Sequence, residues 1–146
     1  MNESNLPEIT IYTDGACVPN PGPGGWAVVL RFGAREKVLT GSAPATTNNR
    51  MELTAAVEAL KSLNRACQVE IYTDSEYLKR GITEWLAGWR QHGWRRKEGA
   101  LANVDLWQAL DREMQAHTIR WHWVKGHAGN RDNQRVDWLA KRAIKS

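Results

Sequence analysis

The chain has 146 residues, of which 42% are apolar and 25% charged. These values fit one globular domain, expected over 1–146, and exclude a disordered or collagen-like chain. The formal net charge is +4, but the excess is concentrated: between residues 79 and 97, Lys79, Arg80, Arg90, Arg95, Arg96 and Lys97 stand against Glu84 alone. Such a stripe suits a polyanionic partner, although a solvated surface carries charge as well. The longest apolar run, Trp26 to Leu30, is far too short to span a membrane. The N-terminus lacks the basic-then-apolar pattern of a signal peptide. Two cysteines, Cys17 and Cys67, are too few for a disulfide framework, so a cytoplasmic location is expected. No long exposed apolar stripe is evident, which makes a monomer the default.

In chain order, residues 8–13 (EITIYT) read as a strand. Residues 19–25 (PNPGPGG) read as a turn cluster, and 25–32 and 36–43 as two further strands. Leu53, Ala56, Val57 and Leu60 recur at helical spacing, predicting a helix from about Asn49 to Leu63. Residues 68–73 (QVEIYT) predict a fourth strand, followed by a helix from Ser75 to about Gly81 and more helix around Trp85. Gly93 and Gly99 bracket a basic loop. Asn103 reads as the N-cap of a helix carrying Trp107, Leu110 and Met114. Residues 118–124 predict the last strand, KGHAGN a glycine loop, and Val136, Leu139, Ala140 and Ala143 a final amphipathic helix. A meander followed by strand–helix–strand units implies an α/β fold: a mixed sheet, antiparallel and then parallel, flanked by helices. Eight tryptophans stand against one Phe and three Tyr. Trp26, Trp107 and Trp123 read as core. Trp85 and Trp89, four apart in the basic segment, would share one helix face.

The strand end Ile11-Tyr12-Thr13-Asp14 is echoed by Ile71-Tyr72-Thr73-Asp74. If these strands are parallel neighbours, the two Asp residues sit about 5 Å apart at their carboxyl ends, where open α/β sheets place ligand sites. Each acid also has a structural explanation. Asp14-Gly15 fits a turn, Asp74 a helix cap, Asn49 to Glu52 a capping box, and Asp137 a solvated helix position. Taken together, two identical strand ends do not need Asp twice. Paired carboxylates repel unless a cation lies between them. Hard oxygen donors suit Mg²⁺ or Mn²⁺, and two such ions about 3.5–4 Å apart can serve phosphodiester cleavage. His117, His122 and His127 show no zinc-motif spacing. His122 reads as structural, whereas His127, in its glycine loop ahead of Asp137, could shuttle a proton.

With YTDGAC-x-x-NPGPGG, TTNNRMEL, YTDS, the GW of the basic arm, NVDLW and KGHAGN, nearly the whole chain resembles ribonuclease H of type 1, in its bacterial ribonuclease HI form. The resemblance implies a five-stranded mixed sheet and hydrolysis of the RNA strand of RNA/DNA hybrids with Mg²⁺, giving 5′-phosphate and 3′-hydroxyl ends. It places the metal-binding acids at Asp14, Glu52, Asp74 and Asp137, with Asp14 expected to bridge two ions. The mobile catalytic histidine falls at His127. Cys17, Asn20, Asn48 and Asn49 match positions near the hybrid's minor groove, where 2′-hydroxyls mark RNA. Trp85 and Trp89 match residues lining the DNA-strand channel, and Thr47 and Asn103 match a DNA-phosphate pocket. The segment 85–103, with Arg95, Arg96 and Lys97, matches the family's basic protrusion. Four positions depart from the pattern: Ala45 for a common Arg, Glu76 for a Gln, Ala102 for a Lys and Trp138 for a Glu. The alternatives are DNA-acting relatives of the same fold, against which PNPGPGG and TTNNRMEL argue, and a non-catalytic hybrid-binding module, which would have little need of all four acids.

Overall fold

The computed structural model describes residues 6–95, 101–125 and 131–145. Five strands, β1 (Glu8–Cys17), β2 (Gly22–Phe32), β3 (Arg35–Thr46), β4 (Gln68–Thr73) and β5 (Thr118–Trp123), form one sheet in the order β3-β2-β1-β4-β5. The first three pair antiparallel, while β4 lies parallel to β1 and β5 parallel to β4. The helices are α1 (Asn48–Lys61), α2 (Glu76–Arg80), α3 (Leu86–Gln91), α4 (Val104–Met114) and α5 (Arg131–Ala143), with a π-helical turn over Gly81–Trp85 joining α2 to α3. The mixed, helix-flanked sheet agrees with the expectation.

Residue alternation assigns the two faces. Val28 and Leu30 of β2, Ile11 of β1 and Val69 and Ile71 of β4 join Leu53, Ala56 and Leu60 of α1 and Trp107 and Leu110 of α4 in the larger core. Tyr12, Ala27 and Val29 point the other way and meet Val136 and Ala140 of α5. That helix packs on β1, β2 and the edge of β3. Trp107 is fully buried as expected, whereas Trp26 and Trp123 pack against the core while partly buried. His122 stacks on Tyr72, with ring centroids 4.3 Å apart, and its Nε2 lies 2.7 Å from Glu70 Oε1, a structural role.

Several boundaries differ from the sequence reading, each for a tertiary reason. β1 does not end at Asp14: it continues to Cys17 because Gly15, Ala16 and Cys17 pair with Trp26, Gly25 and Gly24. The PNPGPGG glycines therefore begin β2 rather than forming only a turn. A Cβ on Gly25 would lie 2.4 Å from the Ala140 carbonyl of α5, so the strand needs glycine there. The N-cap of α1 is Thr47, whose hydroxyl accepts from the Arg50 N–H at 3.2 Å, not Asn49; the Asn49–Glu52 capping box does not form. Ser75, not Asp74, caps α2, accepting from the Leu78 N–H at 3.0 Å. Asn103 precedes α4 in a left-handed conformation (φ 57°), and its side chain makes no capping hydrogen bond.

Candidate active site

These corrected caps release the acids for other work. Asp14 is buried within β1, and its Oδ1 accepts from the Gly15 N–H at 2.9 Å. Glu52 lies in the early turns of α1, and its Oε2 accepts from the Ser75 hydroxyl at 2.5 Å. Asp74 directly follows β4. One ligand oxygen from each of Asp14, Glu52 and Asp74 can lie within 4.8 Å of the others, a spacing that could hold a metal ion. Asp137 of α5 comes within hydrogen-bonding reach of Asp14 and also ion-pairs with Lys141 at 3.1 Å. The cluster thus gathers acids from within β1, from just past the carboxyl end of its parallel neighbour β4, and from α1 and α5. Gly15 permits this convergence, because a Cβ there would lie 2.4 Å from the Glu52 nitrogen, so the start of α1 rests on bare β1 backbone.

The electrostatics follow from burial. Burial, then the charge of Asp74 and the contact with Asp137, holds the Asp14 carboxyl well above the usual carboxylate range. Burial pushes Glu52 up to about 7, against the lowering hydrogen bond from Ser75. Carboxylates this crowded resist ionising together unless a cation offsets them. Among the described residues the donor set is all hard oxygen, which fits a divalent ion such as Mg²⁺ or Mn²⁺.

Beside the acids lies a surface of polar and aromatic groups. Asn20 Oδ1 accepts from the Asn48 N–H at 3.2 Å, tying the Pro19–Pro21 loop to the start of α1, where Asn49 is exposed. Cys17 is only 4% exposed, and its thiol lies 3.2 Å from the Pro19 and Gly22 carbonyls and 3.4 Å from that of Thr46. Thr47 caps Arg50, whose guanidinium donates to Asn103 Oδ1 at 3.2 Å and forks onto Asp105 at 3.0 and 2.8 Å. Asn103 Nδ2 and Trp107 Nε1 both donate to the Tyr77 hydroxyl at 3.0 Å.

Trp85 and Trp89 do share a face, with ring centroids 5.7 Å apart. With Tyr77, Leu101 and Ala102 they line a groove of about 340 Å³. The π turn before them has a local cause: a Cβ on Gly81 would lie 2.0 Å from the Trp107 ring, so the helix presses its glycine against that indole. Arg95 is exposed beyond α3, as are Glu76 on α2 and Trp138 on α5. His127, Arg96 and Lys97 lie outside the described residues. Sequence reasoning missed Ser75, Arg50 and Tyr77. Only Ser75 left a local signal, as the residue after a strand-end Asp.

A mixed sheet that gathers carboxylates at the ends of its central strands has the construction of a metal-dependent hydrolase. A family model for RNase H matches residues 7–145, and the chain belongs to the RNase H family. It is 54% identical to a ribonuclease H of Nitrobacter hamburgensis over 145 residues, 99% of this chain and 96% of that relative. It is 55% identical to a ribonuclease H of Marinobacter nauticus over 139 residues, 94% of this chain and 95% of that one. Among solved structures it is similar to LC9-RNase H1, a type 1 RNase H with the type 2 active-site motif, at TM-score 0.87 and 35% identity over 95% of this chain and 72% of that one. LC11-RNase H1, solved in complex with an RNA/DNA hybrid, shares the fold at TM-score 0.69 and 23% identity over 93% of this chain and 96% of that one.

Proposed function

We propose that this chain is a ribonuclease H that hydrolyses the RNA strand of RNA/DNA hybrids, leaving 5′-phosphate and 3′-hydroxyl ends. The observation that carries this reading is the convergence of Asp14, Glu52 and Asp74 within 4.8 Å, with Asp137 against Asp14, in a chain of the RNase H family. Asp14, Glu52, Asp74 and Asp137 would hold two Mg²⁺ ions, or Mn²⁺ in their place, with Asp14 as the shared ligand. Bound there, the ions supply Lewis-acid stabilisation of the charge that builds on the phosphoryl group and leaving oxygen. The chain's own groups set the geometry. The Gly15 N–H holds the Asp14 carboxylate, the Ser75 hydroxyl holds that of Glu52, and Lys141 holds that of Asp137. His127 would assist proton transfer or product release.

Asn20, Asn48 and Asn49 read the minor groove, and Cys17 supports them by fastening the loop to Thr46. Thr47 and Asn103 take a DNA phosphate. Trp85 and Trp89 offer stacking surface to the DNA strand, and Arg95, Arg96 and Lys97 supply sequence-independent charge. Ala45 removes one family cation from the phosphate pocket, and the exposed Glu76 places an acid before a polyanion. We place the protein in the cytoplasm as a monomer. The test is a strand-labelled hybrid incubated with Mg²⁺ or with excess EDTA. Mg²⁺-dependent cutting of the RNA strand alone is expected. Cutting of duplex DNA, or hybrid binding with no cutting in either Mg²⁺ or Mn²⁺, would overturn the reading.

A further inference from the structure

A lone exposed tryptophan is an ordinary surface feature, but Trp138 is not placed as one. It is 56% exposed and directly follows Asp137, so its Cα lies about 3.8 Å from that of a residue in the acid cluster. One turn on, the Arg142 guanidinium sits 4.8 Å from the Trp138 ring centroid, bracing the indole and setting a cation beside it. The same helix exposes Arg131, Gln134 and Lys141, the last ion-paired with Asp137, and Lys145 is exposed two residues beyond the helix end, while Asp132 and Asp137 are only partly exposed. Asp132 turns to Arg31 at 2.5 Å, and Asp137 meets Asp14 on one side and Lys141, at 3.1 Å, on the other. The outer face of α5 is therefore cationic, carries one braced aromatic ring, and begins one residue from the acid cluster. The helix packs on the sheet face opposite the core that Tyr77 and Trp89 join.

We propose that this face is a second nucleic-acid contact, on which Trp138 stacks an unpaired base of the RNA strand just beyond the end of the hybrid. This rests on the hybrid-cleaving reading, because it is the strand drawn across the acids that continues past α5. A flat ring serves any base, and Arg142 and Lys145 are placed to take the flanking phosphates. The preferred substrate is then a hybrid whose RNA continues as a single strand.

The test compares a blunt hybrid with the same hybrid extended by a few unpaired ribonucleotides at either RNA end. Binding is followed by fluorescence anisotropy in an Asp14→Asn background, where the substrate stays intact. An extension at one RNA end is expected to tighten binding about five-fold or more. Trp138→Ala should abolish that gain and Trp138→Phe should keep most of it, while both single variants cut the blunt hybrid at the wild-type rate. Equal affinity for blunt and extended hybrids would overturn the proposal. So would a gain that survives Trp138→Ala, or an equal gain from extending the DNA strand. If the wild type cuts no hybrid at all, the hydrolase reading falls, and the anisotropy comparison still decides the fate of the platform.

Discussion

The acid cluster and the aromatic groove stand side by side but are built on opposite terms. In the groove every buried polar group described finds a partner: the Tyr77 hydroxyl takes both Asn103 and Trp107, and Arg50 spans from α1 to Asp105. Packing there serves stability, in the groove proposed above to meet the substrate. In the cluster, buried carboxylates face one another, and Asp14 and Glu52 are both pushed up in pKa by burial. That arrangement works against the metal-free fold and is held in place by Gly15, Ser75 and the helices behind it. One region is stable in itself; the other is held together against its own electrostatic repulsion.

The sharpest way to break this contrast is Asp14→Asn. If Asp14 is the shared metal ligand proposed above, its loss should lower cleavage by more than the ~10²–10³ typical of one lost transition-state contact. It should also stabilise the metal-free protein, raising Tm by about 3 °C or more. The sign follows from linkage. Both carboxyls have folded pKa values above their unfolded ones, so in EDTA their contribution to stability is present at low pH and lost as pH rises through the folded values, near 7 for Glu52. Melting in EDTA between pH 5 and 8 checks this: wild type should fall with pH more steeply than the variant. A variant that is less stable at pH 8 would contradict the picture of a cluster under electrostatic stress.

Gly15→Ala should also damage the cluster, through packing alone. A Cβ 2.4 Å from the Glu52 nitrogen must push α1 off β1. Overpacking of this kind costs about 1–3 kcal/mol, and displacement of Glu52 should reduce kcat by at least ten-fold. Normal kcat with intact stability would show that the close approach does not position Glu52. Tyr77→Phe tests the other region. It strands the donors of Asn103 and of the fully buried Trp107, so urea denaturation should report a loss of about 1–3 kcal/mol. KM for the hybrid should rise with kcat little changed, the reverse of Gly15→Ala.

How much of this could be read beforehand divides along the same line. Strands and helices were legible because their apolar periods reflect the faces they bury: Val28 and Leu30 one way, Ala27 and Val29 the other. Asp14 and Asp74 were legible because the repeated IYTD places them at matching strand positions, whereas Glu52 and Asp137 stood out only through the family resemblance. What stayed hidden depends on distant partners. Tyr77 finds its donors 26 and 30 residues away. The glycines of PNPGPGG look like a turn until α5 is known to lie on Gly25. The capping box at Asn49 fits the local pattern, but Thr47 caps the helix and Glu52 is drawn to Ser75.

A smaller effect is expected from the basic arm. Replacing Arg95, Arg96 and Lys97 with Ala should raise KM several-fold and flatten its salt dependence by up to about 0.9 per lost phosphate contact, with kcat nearly unchanged. An unaltered salt slope would remove the arm from the electrostatic account and leave the groove to explain affinity alone.

The smallest effect concerns a histidine far from either region. His117 Nδ1 accepts from the Cys67 N–H at 3.1 Å, which fixes the start of β4 against the end of α4. Burial lowers its pKa, with Glu113 acting in the opposite direction. The neutral ring is thus the one the fold selects, and the unfolded chain binds the proton more readily. Its contribution is present above the ordinary histidine range and is lost as pH falls through the lowered folded value. The acid cluster moves the other way over that interval, so wild-type melting alone would confuse the two. The difference in Tm between wild type and His117→Gln, both in the Asp14→Asn background, isolates it. That difference should be largest near pH 7.5 and shrink toward pH 5, and a constant difference would mean that the Cys67 hydrogen bond does not depend on the ring's charge.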